Sequence, residues 1–310
     1  MTGPLSKDLA DYLALRRALG YRLVRPEKLL GQFLKHLQDA GVEHVTVDAA
    51  LDWAQLPTAG QGSNWSAYRL SVVRGFATYL HGLDPAHEVP STDLLPSRPQ
   101  RAVPYLYSRS EIAALIGATS SLSTPLRQAT FATLIGLLAV TGMRIGEAIA
   151  LDRGDVDLTG RLLVIRHGKF DKARELALHP STVTALSEYQ RLRNQEAPRA
   201  ETPAFFVSMA GTRLLYCNVH HAFHHLVGLA GLGPRSAACR PRIHDLRHTF
   251  AVDAMRQAYA AGEDGQRQLT LLSTWLGHVH PGSTYWYLSA SPELMALAGQ
   301  RLETYLAGRS

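Results

Sequence analysis

Arg144, Lys169, His244, Arg247, His278 and Tyr287 are the side chains of this 310-residue chain whose types could do chemistry together. An arginine presents a planar fork of donors that grips two phosphate oxygens at once. Histidine and lysine can hold or move a proton, and a tyrosine hydroxyl is a nucleophile able to form a covalent ester. Together these groups suffice to cut and rejoin a phosphodiester. A tyrosyl ester is close in energy to the bond it replaces, so such an exchange needs neither a metal nor a nucleotide. Covalent transfer of a DNA strand is the chemistry that these residue types imply.

Each of the six has a local setting. Arg144 lies in Thr141-Gly142-Met143-Arg144-Ile145-Gly146-Glu147, after the apolar run Leu134 to Val140. On a helix Arg144 and Glu147, three residues apart, share a face. Glu147 then either holds the guanidinium in place or makes an ordinary surface ion pair with it. His244, Arg247 and His248 fall in His244-Asp245-Leu246-Arg247-His248, a spacing that puts all three on one helical stripe. As a group they read as phosphate contacts, with Phe250 and Val252 supplying the apolar side. His278 closes Leu276-Gly277-His278, where the glycine permits a tight connection. Tyr287 follows Tyr285 and Trp286, a run that would equally suit an aromatic core. Lys169 stands in Gly168-Lys169-Phe170-Asp171-Lys172, and taken alone is an ordinary solvated lysine.

The elements that must position these residues are mostly helices. Residues 1–83 read as four short amphipathic helices: one capped by Ser6, one carrying Leu29, Leu30, Phe33, Leu34 and Leu37 up to Gly41, one capped by Asp48, and one from about Asn64 to Leu83. Pro85, Pro90, Pro96, Pro99 and Pro104 then interrupt any long element, marking 84–106 as a linker. Arg98 and Arg101 make it basic, so it either crosses a duplex groove or is an inert spacer. A second domain, 107–310, opens on the capping-box pattern Ser108 to Glu111. Helices run to about Leu151. A hairpin follows, Arg161 to Arg166 and Arg174 to Leu178, whose turn carries Lys169 and Lys172. His179-Pro180-Ser181 starts another helix, Phe205-Phe206-Val207 reads as a short strand, and helices fill most of the remainder, ending in an amphipathic stretch at 291–310.

Composition excludes several classes. Apolar residues at 46% and charged residues at 19% describe a folded domain, not a disordered one. The 32 Lys and Arg exceed the 26 Asp and Glu, which suits a polyanionic partner without requiring one. Only Cys217 and Cys239 are present, so neither a disulfide framework nor a cysteine metal site is expected. No run reaches the roughly 18 apolar residues of a membrane span, and the N-terminal residues carry no signal pattern; a cytoplasmic protein is expected. His220, His221, His224 and His225 form two i,i+4 pairs of a zinc-binding spacing. Only Cys217 is near enough to complete such a site, so a stripe facing solvent or the DNA backbone is the reading, and no metal or cofactor is expected.

In order and spacing, the six motifs resemble the tyrosine recombinase (phage integrase) family across the whole second domain. The resemblance implies a two-domain protein: a helical core-binding domain, and a mainly α catalytic domain with a small antiparallel β-sheet. It implies that Arg144 and Arg247 are clamp arginines, with His244 as their partner and Glu147 and His248 in support. It further makes Lys169 the hairpin lysine, His278 the second histidine and Tyr287 the nucleophile, nine residues after His278. Family hairpins often read Gly-Lys-Gly, whereas Phe170 follows Lys169 here, so Lys172 competes for the lysine's role. Arg98, Arg101 and Lys172 are further expected DNA contacts. The resemblance implies double-stranded DNA as partner, a tetramer on two DNA sites with monomers or dimers off DNA, accessory recombinases in some members, and a C-terminal helix passed to a neighbouring subunit or packed on its own domain. Site-specific recombination in integration, excision or transposition is the expected function. A topoisomerase using a similar residue set, or a catalytically silent DNA-binding relative, is the alternative.

Overall fold

The computed structural model describes residues 4–57, 64–95, 103–166 and 173–278, together with residues 282, 284, 285, 296, 299, 300, 303 and 307. The chain divides into two compact units, Met1–Arg101 and Ala102–Ser310. Lys169, Lys172, Arg98, Arg101, Tyr287 and most of the expected C-terminal helix lie outside the described residues.

The first unit is built from α1 (Pro4–Ala18), α2 (Val24–Asp39), α3 (Val47–Gln55) and α4 (Trp65–Leu83). Apolar residues recurring at helical spacing bury Leu30, Phe33 and Leu37 of α2, Trp53 of α3, and Leu70, Val73, Phe76 and Leu80 of α4 in one core. Two expected caps are displaced. Ser6 lies inside α1, and Thr46 rather than Asp48 caps α3, its hydroxyl accepting from the Ala49 N–H at 3.2 Å. Asp48 instead sits in the first turn, where its charge complements the helix dipole. The start of the expected linker is folded onto this unit. His87 Nδ1 accepts from the Val45 N–H at 3.0 Å, Glu88 accepts from the Val47 N–H at 2.7 Å, and Arg74 donates to the carbonyls of Pro90 and Ser91. Its far end belongs to the second unit, where Val103 N–H bonds the Ala238 carbonyl and Tyr105 is buried.

The second unit opens with α5 (Arg109–Ala118), held by the predicted capping box between Ser108 and Glu111. Then come α6 (Pro125–Thr141), α7 (Ile145–Ala150), strands β1 (Val156–Asp157), β2 (Leu162–Ile165) and β3 (Arg174–Ala177), and helices α8 (Pro180–Glu196), α9 (Tyr216–Leu229), α10 (Asp245–Ala260) and α11 (Gly265–Leu276). The three strands form an antiparallel sheet in sequence order, with Ile165 opposite Arg174 and Leu163 opposite Leu176. Helix α6 buries Leu134, Ile135, Leu137 and Leu138 and runs through the centre of the unit. Residues 205–207 are buried but form no strand; single bridges join Asp152 to Ala204 and Val207 to Arg213. The apolar run that looked like a strand is explained by burial on all sides.

Candidate active site

Four turns of chain converge: the end of α6 with the start of α7, the start of β3, the N-terminus of α10, and the end of α11. Helix α6 stops because Gly142 adopts φ +61, a left-handed conformation open to glycine. Its Cβ position is also blocked, since a carbon there would lie 2.4 Å from Phe250 Cδ1. The turn aims the Gly142 carbonyl at Arg247. Helix α11 ends in the same way at Gly277, φ +66, with the Leu276 carbonyl also aimed at Arg247. Arg247 is 2% exposed and donates to Gly142 O at 2.8 Å, Leu276 O at 2.7 Å and His278 Nε2 at 2.9 Å. The glycines of both short motifs thus shape the seat of one arginine.

A guanidinium has no acceptor, so His278 Nε2 must accept, leaving Nδ1–H to donate to the Thr284 hydroxyl at 2.8 Å. That neutral tautomer agrees with a His278 pKa pushed down to about 4 by burial and then by Arg247, Arg144 and Arg174. His244 is likewise pushed down to about 4 by burial, Arg247, Arg144 and Arg242. Its outer edge is exposed, so water offsets part of that shift. His248, buried and 5.1 Å from the His244 ring, is lowered to about 3 by burial and by His244. All three are neutral at pH 7 in the free protein. An arriving phosphate would favour their charged forms.

Arg144 differs from its expected setting. It is the N-cap residue of α7, not a helical residue sharing a face with Glu147. The pair forms all the same: Glu147 Oε2 accepts from the Arg144 N–H and Oε1 from Nη1, both at 2.8 Å. Glu147 is buried, which disfavours its charge. Hydrogen bonds and charge from Arg174, then from Arg144, outweigh that and hold its pKa below the usual carboxylate range. The His244–Arg247–His248 stripe also departs from expectation. His244 precedes α10 as its N-cap and faces outward, whereas Arg247 and His248 are buried.

Sequence reading passed over Arg174. Its Nη1 and Nη2 donate to both Glu147 oxygens at 3.1 and 2.8 Å, and Nε to the Trp275 carbonyl at 2.9 Å. A signal was present, because Arg174 shares the inward register of β3 with Leu176, and an inward arginine demands a partner. Asp245 was passed over too; it is fully buried and pairs with Arg242 at 2.8 and 2.9 Å, anchoring the start of α10. Among the described residues no three His, Cys, Asp or Glu side chains group as a metal site. His220 and His224 face each other at 3.3 Å on the exposed face of α9, with no third ligand grouped with them among the described residues. No helix among the described residues is long and apolar enough to cross a membrane.

The sequence profile of the phage integrase family matches residues 107–293, more than half of the chain. The chain belongs to the phage integrase family. These tyrosine recombinases are enzymes that cleave and rejoin DNA through a tyrosine intermediate. The protein y4rB of Sinorhizobium fredii, named as an integrase/recombinase, is 42% identical over 94% of this chain and 95% of its own length. Tyrosine recombinase XerD of Mycobacterium leprae is 29% identical over 89% of each chain. Among solved structures, the Tn1549 transposon integrase in complex with transposon right end DNA has a TM-score of 0.62 at 15% identity, covering 96% of this chain and 99% of that one. The XerA recombinase has a TM-score of 0.52 at 23% identity, covering 98% and 99%. The fold is the two-domain tyrosine recombinase fold, mainly α with a small antiparallel sheet.

Proposed function

We propose that this chain is a cytoplasmic site-specific recombinase that moves a mobile element, with Tyr287 as nucleophile and Arg144, Lys169, His244, Arg247 and His278 as its catalytic partners. The observation that supports the reading is the shared seat of Arg247 and His278, beside an Arg144 fixed by buried Glu147. The Tyr287 oxygen attacks the scissile phosphorus as the P–O5′ bond breaks, leaving a 3′-phosphotyrosine and a free 5′-hydroxyl. Arg144 and Arg247 neutralise the non-bridging oxygens in the pentacovalent state. His244, neutral beforehand, hydrogen-bonds those oxygens; His278 does so once Nε2 has given up its bond from Arg247 and taken the tyrosine proton. Lys169, or Lys172 in its place, donates a proton to the departing 5′-oxygen; neighbouring arginines lower a lysine's pKa into a useful range. Attack by another strand's 5′-hydroxyl reverses the step and completes exchange.

In this reading residues 1–83 grip one side of the duplex, Arg98, Arg101 and Lys172 touch its backbone, and residues 291–310 couple four subunits on two DNA sites. A lambda integrase tetramer bound to a Holliday junction, which shares the fold at a TM-score of 0.56 and 16% identity, supports the assembly part of this reading. A two-site plasmid assay using the DNA that flanks the gene tests the proposal. Exchange by the wild type, with none by Tyr287→Phe at undiminished DNA binding, is expected. Relaxation of supercoils without partner exchange would replace it with the topoisomerase reading.

A further inference from the structure

We propose that Arg174 is a positioning residue for strand cleavage, setting the distance between the two clamp arginines; the inference rests on the recombinase reading above. Arg174 binds two bodies at once. Through Nη1 and Nη2 it holds both oxygens of Glu147, which in turn holds the backbone and side chain of Arg144. Through Nε it holds the Trp275 carbonyl at the end of α11. The next carbonyl, Leu276 O, is a partner of Arg247, and His278 follows two residues on. Arg144 is thereby referred to Arg247 and His278 through one side chain.

Two features make Arg174 a strut rather than a third phosphate ligand. Nε, Nη1 and Nη2 each already donate to protein acceptors. Gly277 also closes over it, for a Cβ there would lie 2.8 Å from Nη1 and 3.2 Å from Cζ. Gly277 therefore serves both its left-handed turn and the passage of this guanidinium. Loss of Arg174 leaves Glu147 paired with Arg144 but removes its tie to α11. The two arginines then no longer meet the developing charge at a fixed separation, and a misplacement of this kind acts on the transition state more than on bound DNA.

The test is single-turnover adduct formation on two nicked duplexes bearing the end to which wild-type protein attaches. One has an ordinary scissile phosphate; the other has a methylphosphonate there, which lacks the charge that the clamp neutralises. Arg174→Gln is expected to lower cleavage of the ordinary duplex at saturating DNA by about 10–100-fold, the scale of a small misplacement of a catalytic group, with binding nearly unchanged. On the methylphosphonate the deficit relative to wild type should shrink to a few-fold. Arg174→Lys, which keeps the charge and can reach Glu147 or Trp275 O but not both, should fall between and carries the comparison if the glutamine variant does not fold. An equal deficit on both duplexes, a loss confined to binding, or wild-type rates overturns the inference. Absence of any wild-type adduct across nicked duplexes carrying the DNA that flanks the gene overturns the recombinase reading itself.

Discussion

The motif Thr141 to Glu147 contains two glycines that should respond to alanine in opposite ways. Gly142 sits at φ +61, and its missing Cβ faces Phe250 Cδ1 at 2.4 Å and Leu276 Cδ2 at 3.1 Å. Gly146 lies in α7 with a normal helical backbone, exposed, and a methyl carbon added there would meet nothing within 4 Å. For Gly142→Ala, about 1–2 kcal/mol of left-handed strain adds to about 1–3 kcal/mol of overpacking, so about 2–5 kcal/mol in all. For a unit the size of Ala102–Ser310 this lowers the unfolding midpoint by on the order of 10 °C. Gly146→Ala should instead stabilise by about 0.5–1 kcal/mol, through helix propensity and a less flexible unfolded chain. Differential scanning calorimetry of both variants checks this. Because the Gly142 carbonyl holds Arg247, adduct formation should fall in Gly142→Ala even well below its midpoint. Equal midpoints for the two variants, or a stabilised Gly142→Ala, would refute the reasoning.

Arg247→Lys should cut adduct formation by about 10²–10³-fold in single-turnover assays, since an ammonium cannot span two carbonyls and a phosphate together. Imidazole 15N shifts should find His278 neutral and protonated on Nδ1 at pH 6, as its bonds to Arg247 and Thr284 require; an Nε2–H tautomer would contradict that arrangement. In the first unit, buried His87 accepts the Val45 N–H on Nδ1, and burial, then His44, lowers its pKa. The unfolded chain binds this proton first, so the stability His87 contributes is complete above about pH 6.5 and lost as pH falls through the folded pKa. Thermal melts should find the first unit's midpoint falling below pH 6.5, with a shallower slope in His87→Asn.

The parts legible in sequence were those carried by local pattern. The apolar periodicity of α2 and α4, the Ser108–Glu111 cap and the hairpin around β2 and β3 all follow from nearest neighbours in the chain. What escaped were contacts made between distant segments. Arg174 is 27 residues from Glu147 and 101 from Trp275, so spacing could not pair them, although its inward register hinted at a partner. The burial of Arg247 and His248 ran against composition, because their satisfaction comes from backbone carbonyls and neighbouring rings that no sequence motif displays. Phe205 to Val207 misled for the converse reason: apolar side chains buried on every side look the same in a strand and in an irregular segment.

The central claim is that this chain joins itself to DNA through Tyr287. Incubating the protein with nicked duplexes from the DNA flanking its gene, denaturing, and mapping the attached peptide by mass spectrometry tests it most directly. A 3′-phosphotyrosine on Tyr287, absent from Tyr287→Phe, is the predicted result. An adduct on Tyr285, or tight binding with no adduct on any tyrosine, would contradict the account.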